Sequence, residues 1–391
     1  MFTGPTVFTQ IMAAVSAWEF RRLAARHGQF GPKLRFSAWD HLLTMSFAQL
    51  TRRESLRDIV GSLRAQPHLV YHLGFRHLPA RSTLADANED RPWGLFAELA
   101  SRLMQRARSL YQTEPNALEL DTPLYAIDSS MIELSLALCP WADWTGRVAA
   151  VKLHTQLDLR GQLPARVLVT EGGHGDAAWL DALPVEPGAY YLMDRGYVDL
   201  HRLRRIAASG AYFVVRERDD VLRYVAQSRA VDRTGGLRSD QVIRFRGRHS
   251  RAHWPDTLRR VSLYDHSHHR HLAFWTNQWS LSATLIAELY RQRWQVELFF
   301  RWIKQNLRLH SFYGTSPNAV RVQIWTALCA YLCAAITRHR RGLSAHVTLT
   351  NFLQIVSIHS LAKIPLPELF LHNPVTPRTE EKNNQMLFND F

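Results

Sequence analysis

The chain has 391 residues, too many for one simple core, so two or three domains are expected. Its 46% hydrophobic content and 12 tryptophans exclude a disordered chain. A formal net charge of +14 calls for a polyanionic partner, nucleic acid or an anionic membrane. Nucleic acid is the stronger choice, because no apolar run reaches the roughly 18–20 residues needed to span a bilayer. The best candidate, residues 324–336, is short and reads as a buried helix. Cys139, Cys329 and Cys333 form an odd set without paired spacing, and no export signal is evident at the start. Both features fit a reducing cytoplasm.

Residues 1–118 read as all-helical. Apolar residues recur at helical spacing over 7–25, 37–50 and 54–63, with Gly28, Gly31 and Pro32 marking the first break. Ser82 and Thr83 followed by Asp86 open a further helix, and a long one runs through Trp93, Phe96, Leu103 and Leu110. Arginines recur along this region, among them Arg21, Arg22, Arg26, Arg52, Arg53, Arg57 and Arg64, and make it the expected DNA-binding domain.

From Pro123 the period changes. Residues 124–127 read as a short buried strand ending at Asp128, residues 148–159 as a second and 165–170 as a third, with Gly161 between them. Asp176 is placed to cap a helix over 177–183. A fourth strand over 189–193 ends at Asp194, a helix follows over 200–208, and a fifth strand covers 211–216. Residues 217–280 read as a β-rich insertion with strands at 242–245, 258–264 and 271–276. The histidine-dense tract before His271 reads as a hairpin tip. One long helix is expected over 282–309, capped by Ser282, with further core helices over 317–338 and 348–358 and a loose tail over 373–391.

On that long helix Tyr290, Arg293, Glu297 and Lys304 fall within roughly 60° of one another at about 100° per residue. A phenol, a guanidinium, a carboxylate and an ammonium on one stripe make poor core. They suit a site that grips a phosphodiester and holds a metal ligand, or, more plainly, a solvated face with an Arg293–Glu297 ion pair. The company of Asp128 and Asp194 favours the site. If the first and fourth strands are neighbours, the two aspartates lie side by side, and a helix across them delivers Glu297. Three converging carboxylates repel one another unless cations sit among them, and oxygen-only ligands select Mg²⁺ or Mn²⁺.

The stretches YAIDSSMIELS, VKLHTQLDLRG, YYLMDRGYVDL, AYFVVRERDD and LYRQRWQVELFFRWIKQNL resemble the insertion-sequence-four family of DDE transposases over most of residues 70–370. The family's Y-(2)-R-(3)-E-(6)-K pattern is met without departure by Tyr290, Arg293, Glu297 and Lys304. The resemblance implies an α/β ribonuclease H-like fold: a mixed sheet flanked by helices (119–216 and 281–372), a β-rich insertion (217–280) and an all-helical amino-terminal domain. It implies Asp128, Asp194 and Glu297 as catalytic ligands of two Mg²⁺ ions, with Mn²⁺ able to replace them. It also implies phosphate contacts from Tyr290, Arg293 and Lys304.

The implied reaction is nicking at the ends of a mobile element, then attack of the 3′-hydroxyl on target DNA. The implied partner is double-stranded DNA, bound by a synaptic dimer in a bacterial cytoplasm, at the nucleoid. Some members of the family stack an aromatic residue of the insertion on a flipped base, a role assigned here to Trp275. Lys152 and His154, two apart on the second strand, and Arg195, beside Asp194, are further candidates for DNA contact. The competing readings are a ribonuclease H-like nuclease or resolvase and a catalytically silent DNA-binding regulator.

Overall fold

The computed structural model describes residues 4–29, 36–112, 114, 118, 120–233, 236–266, 268–306 and 312–371. The break at Gly31 and Pro32, the end of the 282–309 helix and the 373–391 tail lie outside them. The chain divides into two compact units, residues 1–110, 137–141 and 302–391 in one, residues 111–136 and 142–301 in the other. Domain boundaries drawn from the sequence do not coincide with this division, which groups the carboxy-terminal helices with the amino-terminal ones.

The first unit is helical. It holds α1 (Val7–Met12), α2 (Ala17–Arg26), α3 (Ala38–Leu50), α4 (Leu56–Arg64), α5 (Arg81–Asp90) and α6 (Gly94–Tyr111). Each start through α4 has a hydroxyl at its N-cap, Thr6, Ser16, Ser37 and Ser55, that accepts an otherwise orphaned backbone N–H. Ser37 and Asp40 complete a reciprocal capping box.

The second unit is one nine-stranded sheet in the order β3-β2-β1-β4-β5-β9-β8-β7-β6. Its strands are β1 (Leu124–Leu134), β2 (Ala149–Asp158), β3 (Leu163–Glu171), β4 (Tyr190–Met193), β5 (Tyr212–Arg216), β6 (Arg223–Arg229), β7 (Leu237–Phe245), β8 (Leu258–Asp265) and β9 (Arg270–Thr276). The helices α7 (Leu200–Ala208), α8 (Arg248–His253), α9 (Ala283–Arg291) and the start of α10 (Trp294–Asn306) belong to this unit.

The first three strands form an antiparallel meander, while β4 pairs parallel to β1 and β5 parallel to β4. This is the ribonuclease H-like order expected from the sequence. The segment over 177–183 is a 3₁₀ helix, Ala177–Ala182, and Asp176 makes no side-chain cap bond to it.

The insertion is not a separate layer. Its strand β9 joins the edge of β5 through pairs such as Val215↔Trp275, so β6–β9 extend the same sheet. Glu217, just after β5, fixes this junction. Its buried carboxylate accepts from Arg260 Nε at 3.0 Å and the Trp275 indole at 3.0 Å, and pairs with Arg223 at 2.6 Å. Burying a carboxylate is tolerable here because each oxygen has a cationic or N–H partner.

The remaining helices, α11 (Pro317–Arg340), α12 (Leu349–His359) and α13 (Glu368–Leu371), complete the first unit. Pro317 at the first turn and Ser316 at the N-cap start α11. This helix is longer than the 324–336 run suggested, and by length and composition it would suffice to cross a membrane. Its apolar window is 94% buried within the protein, which makes it a core helix. Cys329 and Cys333 lie on it, fully buried as free thiols.

Candidate active site

The parallel pairing of β1 with β4 runs from Leu124↔Tyr190 to Ile127↔Met193. Ile127 and Met193 point into the core, so the next residues, Asp128 and Asp194, alternate together to the opposite face. Neighbouring parallel strands thereby set the two carboxylates side by side. Asp128 does not end its strand, because β1 continues to Leu134 paired with β2 alone.

Above this pair the expected single helix is two. A tightened turn at Gln292 and Arg293 separates α9 from α10, with i→i+3 bonds from the Arg293 N–H to Tyr290 O (3.0 Å) and the Val296 N–H to Arg293 O (3.1 Å). No glycine or proline causes it. Arg293 sits in the turn and is anchored at both ends of its guanidinium: Nη1 donates to Asp128 Oδ2 at 3.1 Å and Nη2 to Glu297 Oε1 at 2.5 Å. The Tyr290 hydroxyl donates to Asp194 Oδ1 at 3.2 Å, and its ring packs on Phe274 at 4.3 Å between centroids. Two aspartates from strands and three members of the helical motif therefore meet in one cluster.

The electrostatics follow from burial. Desolvation pushes the Asp128 carboxyl up to about 6 against the pull of Arg293, and the Glu297 and Asp194 charges push the same way. Burial also raises the Tyr290 hydroxyl to about 12, so it stays a proton donor at neutral pH. For Arg293, burial opposes the charge but the surrounding Tyr290, Glu297 and Asp128 more than offset it, and the guanidinium stays protonated. Three carboxylates against one guanidinium leave the cluster short of positive charge.

Several expected contacts fall elsewhere. Lys152 and His154 lie across β1 from Met131 and Ser129, whereas Asp128 faces Thr155, so the two point to the other face of the sheet. Lys152 Nζ donates there to Asp176 Oδ1 at 3.1 Å, and His154 Nε2 bonds the Thr170 hydroxyl at 3.0 Å, fully buried. Their expected place at the catalytic face is corrected by the strand register.

Trp275 is corrected too. It is fully buried, with its ring 5.2 Å from Phe245, and no base can stack on it without unpacking the core. Lys304 is half-buried on α10, two turns beyond Glu297. Arg195 is exposed and, among the described residues, has no ion-pair partner. It lines a polar cleft of about 290 Å³ with Arg216, Arg223, Arg260 and His271.

Sequence reasoning missed the role of Asp176. It accepts from the Ser129 hydroxyl at 2.5 Å as well as from Lys152, so it braces the residue next to Asp128 from the opposite face. Its only signal was a charged residue in a glycine-rich turn.

The sequence profile of the transposase DDE domain matches residues 119–333, more than half of the chain and all of the cluster just described. The chain belongs to the DDE transposases. A domain of unknown function (DUF4372) matches residues 3–76 of the same protein. Among curated relatives, a putative transposase of Sinorhizobium fredii is 33% identical over 65% of this chain and 70% of its own length. A probable transposase of an insertion sequence from Geobacillus stearothermophilus is 28% identical over 73% and 74%. A putative insertion-sequence transposase from Synechocystis is 25% identical over 64% and 70%. This transposase is thus an insertion-sequence enzyme that cuts and joins DNA.

Transposase domains of this kind generally use divalent metal ions. The donor set here fits such an ion chemically, being all hard carboxylate oxygen with an excess of negative charge. Its present arrangement does not gather the ligands. Among the described residues no three His, Cys, Asp or Glu side chains are grouped to hold one ion. Arg293 pairs with both Asp128 and Glu297.

Proposed function

We propose that Asp128, Asp194 and Glu297 are the catalytic carboxylates, and that they hold two Mg²⁺ ions, replaceable by Mn²⁺, during cleavage of transposon ends and strand transfer. The observation that carries this reading is the single cluster in which Arg293 bridges Asp128 and Glu297 while Tyr290 donates to Asp194. When bound, such ions activate the attacking oxygen and stabilise the leaving one in an in-line phosphoryl transfer.

The protein's own groups do the positioning. Tyr290, protonated at neutral pH, holds the Asp194 carboxylate through its hydroxyl. Arg293 neutralises two carboxylates in the resting cluster. A phosphodiester offers the guanidinium the same bidentate geometry that a carboxylate does, so Arg293 is suited to exchange one for the other as DNA enters. Lys304 extends this phosphate contact along α10, and Arg195 with its arginine-lined cleft extends it beside Asp194. The helical amino-terminal region binds the element's terminal repeats, and two copies act together on two ends, in the cytoplasm of a bacterium at its nucleoid.

The test is nicking of supercoiled DNA that carries the ends of the element encoding this protein. End-specific nicks are expected with wild type in Mg²⁺, and background levels with Glu297→Gln or with EDTA. Nicks by Glu297→Gln at the wild-type rate would contradict the assignment. So would end binding by wild type without cleavage in either Mg²⁺ or Mn²⁺.

A further inference from the structure

The helix α4 carries a glycine that nothing in the protein explains. Gly61 lies inside the helix, four residues before its C-cap Ala65, and has ordinary right-handed backbone angles. A Cβ added there would meet no atom within 4 Å. It is exposed, and glycine in a helix interior is destabilising relative to any ordinary side chain. Neither a turn, nor a cap, nor close packing within the chain requires it.

Its neighbours give it a context. Arg57 and Arg64 stand at i−4 and i+3, within roughly 60° of Gly61 around the axis, so the three form one stripe that faces away from the buried Ile59 and Leu63 and is bordered by the buried Val60. Both arginines are exposed and, among the described residues, neither has an ion-pair partner. The acidic residue of the helix, Asp58, is turned to the flank, where it accepts from Arg53 at 3.4 Å and from Ser62 at 3.0 Å. The two arginines lie to one side of Gly61 and Asp58, at i−3, to the other, so the face is cationic on the arginine side, with a point beside it where an outside surface can touch backbone.

We propose that α4 is the helix that the amino-terminal domain lays against duplex DNA, with Arg57 and Arg64 on phosphates and Gly61 at the closest approach. A groove of about 12 Å admits such a helix, and a missing side chain between two phosphate-seeking arginines is what close seating demands. This rests on the transposase reading only for the choice of DNA as partner, and it assigns a role to a domain whose family description gives none.

The test uses the full chain and a labelled duplex from the ends of its own element, beside a random-sequence duplex, with Glu297→Gln as the background so that catalysis plays no part. Gly61→Gln is expected to keep or raise Tm while weakening end binding tenfold or more. Arg57→Ala and Arg64→Ala are each expected to lower the slope of log affinity against log salt by about 0.9. Wild-type affinity and slope in all three variants would overturn the proposal, as would failure of the parent protein to bind either duplex. Failure of Glu297→Gln to stop nicking would instead strike the catalytic assignment and leave α4 untouched.

Discussion

Asp128→Asn is expected to abolish strand cleavage and, in EDTA at neutral pH, to make the protein more stable. The first effect follows from losing a ligand oxygen at the proposed catalytic cluster, worth several kcal/mol of transition-state stabilisation, or at least about a thousandfold in rate. The second follows from the raised carboxyl. Burial raises the Asp128 carboxyl in the folded chain to about 6, whereas the unfolded chain releases the proton near its ordinary value of 3.8.

Between those values the folded state binds more protons, so stability falls as pH rises through the window and the full penalty is present above it. About two units at 1.36 kcal/mol each give a penalty of about 3 kcal/mol, which an uncharged amide does not carry. Thermal scans at pH 4.5 and 7.5 check this, with the advantage of the variant growing between them by several degrees. A variant less stable than wild type at pH 7.5 would show that the charge pair with Arg293 outweighs desolvation. Added Mg²⁺ is expected to stabilise wild type and not the variant, because only the carboxylate gains a ligand.

The largest loss of stability is expected from Arg259→Ala. Arg259 is 2% exposed and Asp240 is 6% exposed. Two parallel bonds join them, Nε to Oδ1 at 2.9 Å and Nη2 to Oδ2 at 2.8 Å. The remaining nitrogen, Nη1, donates to the Gln278 and Leu281 carbonyls at 3.0 and 2.7 Å, so one side chain ties β7 and β8 to the segment that leads into α9. Truncating it strands a buried carboxylate and two carbonyls, at a cost of about 3–5 kcal/mol. Since α9 carries Tyr290, cleavage is expected to fall as well. Arg259→Met combined with Asp240→Leu should recover most of the stability, because the pair is then replaced instead of broken. Chemical denaturation of the three proteins checks the claim, and a loss below about 1 kcal/mol for Arg259→Ala would contradict it.

Much of the site was legible because its parts obey simple periods. The change from helical spacing to strand alternation at Pro123 located β1, and the order meander, strand, helix, strand located β4 and β5. Asp128 and Asp194 then fell at equivalent points of neighbouring strands. The motif over Tyr290, Arg293 and Glu297 survived the break between α9 and α10, because the tightened turn keeps the three on the side that faces the sheet. The break itself left no local signal. It arises where Arg293 is held by Asp128, far away in the chain, as well as by Glu297 one turn on, and no glycine or proline announces it.

Other features depended on register. Whether Lys152 and His154 share a face with Asp128 turns on how β2 pairs with β1 across a connection of irregular length, and a one-residue change reverses the answer. The residues of β6 are exposed nearly throughout, so no buried alternation marked that edge strand. Trp275 shows a third limit. A tryptophan on an alternating strand looks the same whether it packs inward or awaits a base, and only the place of Glu217 and Phe245 decides for the core.

The most direct test of the catalytic cluster is an anomalous-scattering map from crystals of the full chain grown with Mn²⁺. Manganese density ringed by the Asp128, Asp194 and Glu297 carboxylates, with the Arg293 guanidinium withdrawn from between Asp128 and Glu297, is the expected result. Manganese bound elsewhere, or Arg293 still bridging those two carboxylates at saturating metal, would contradict the claim that they are the ligands.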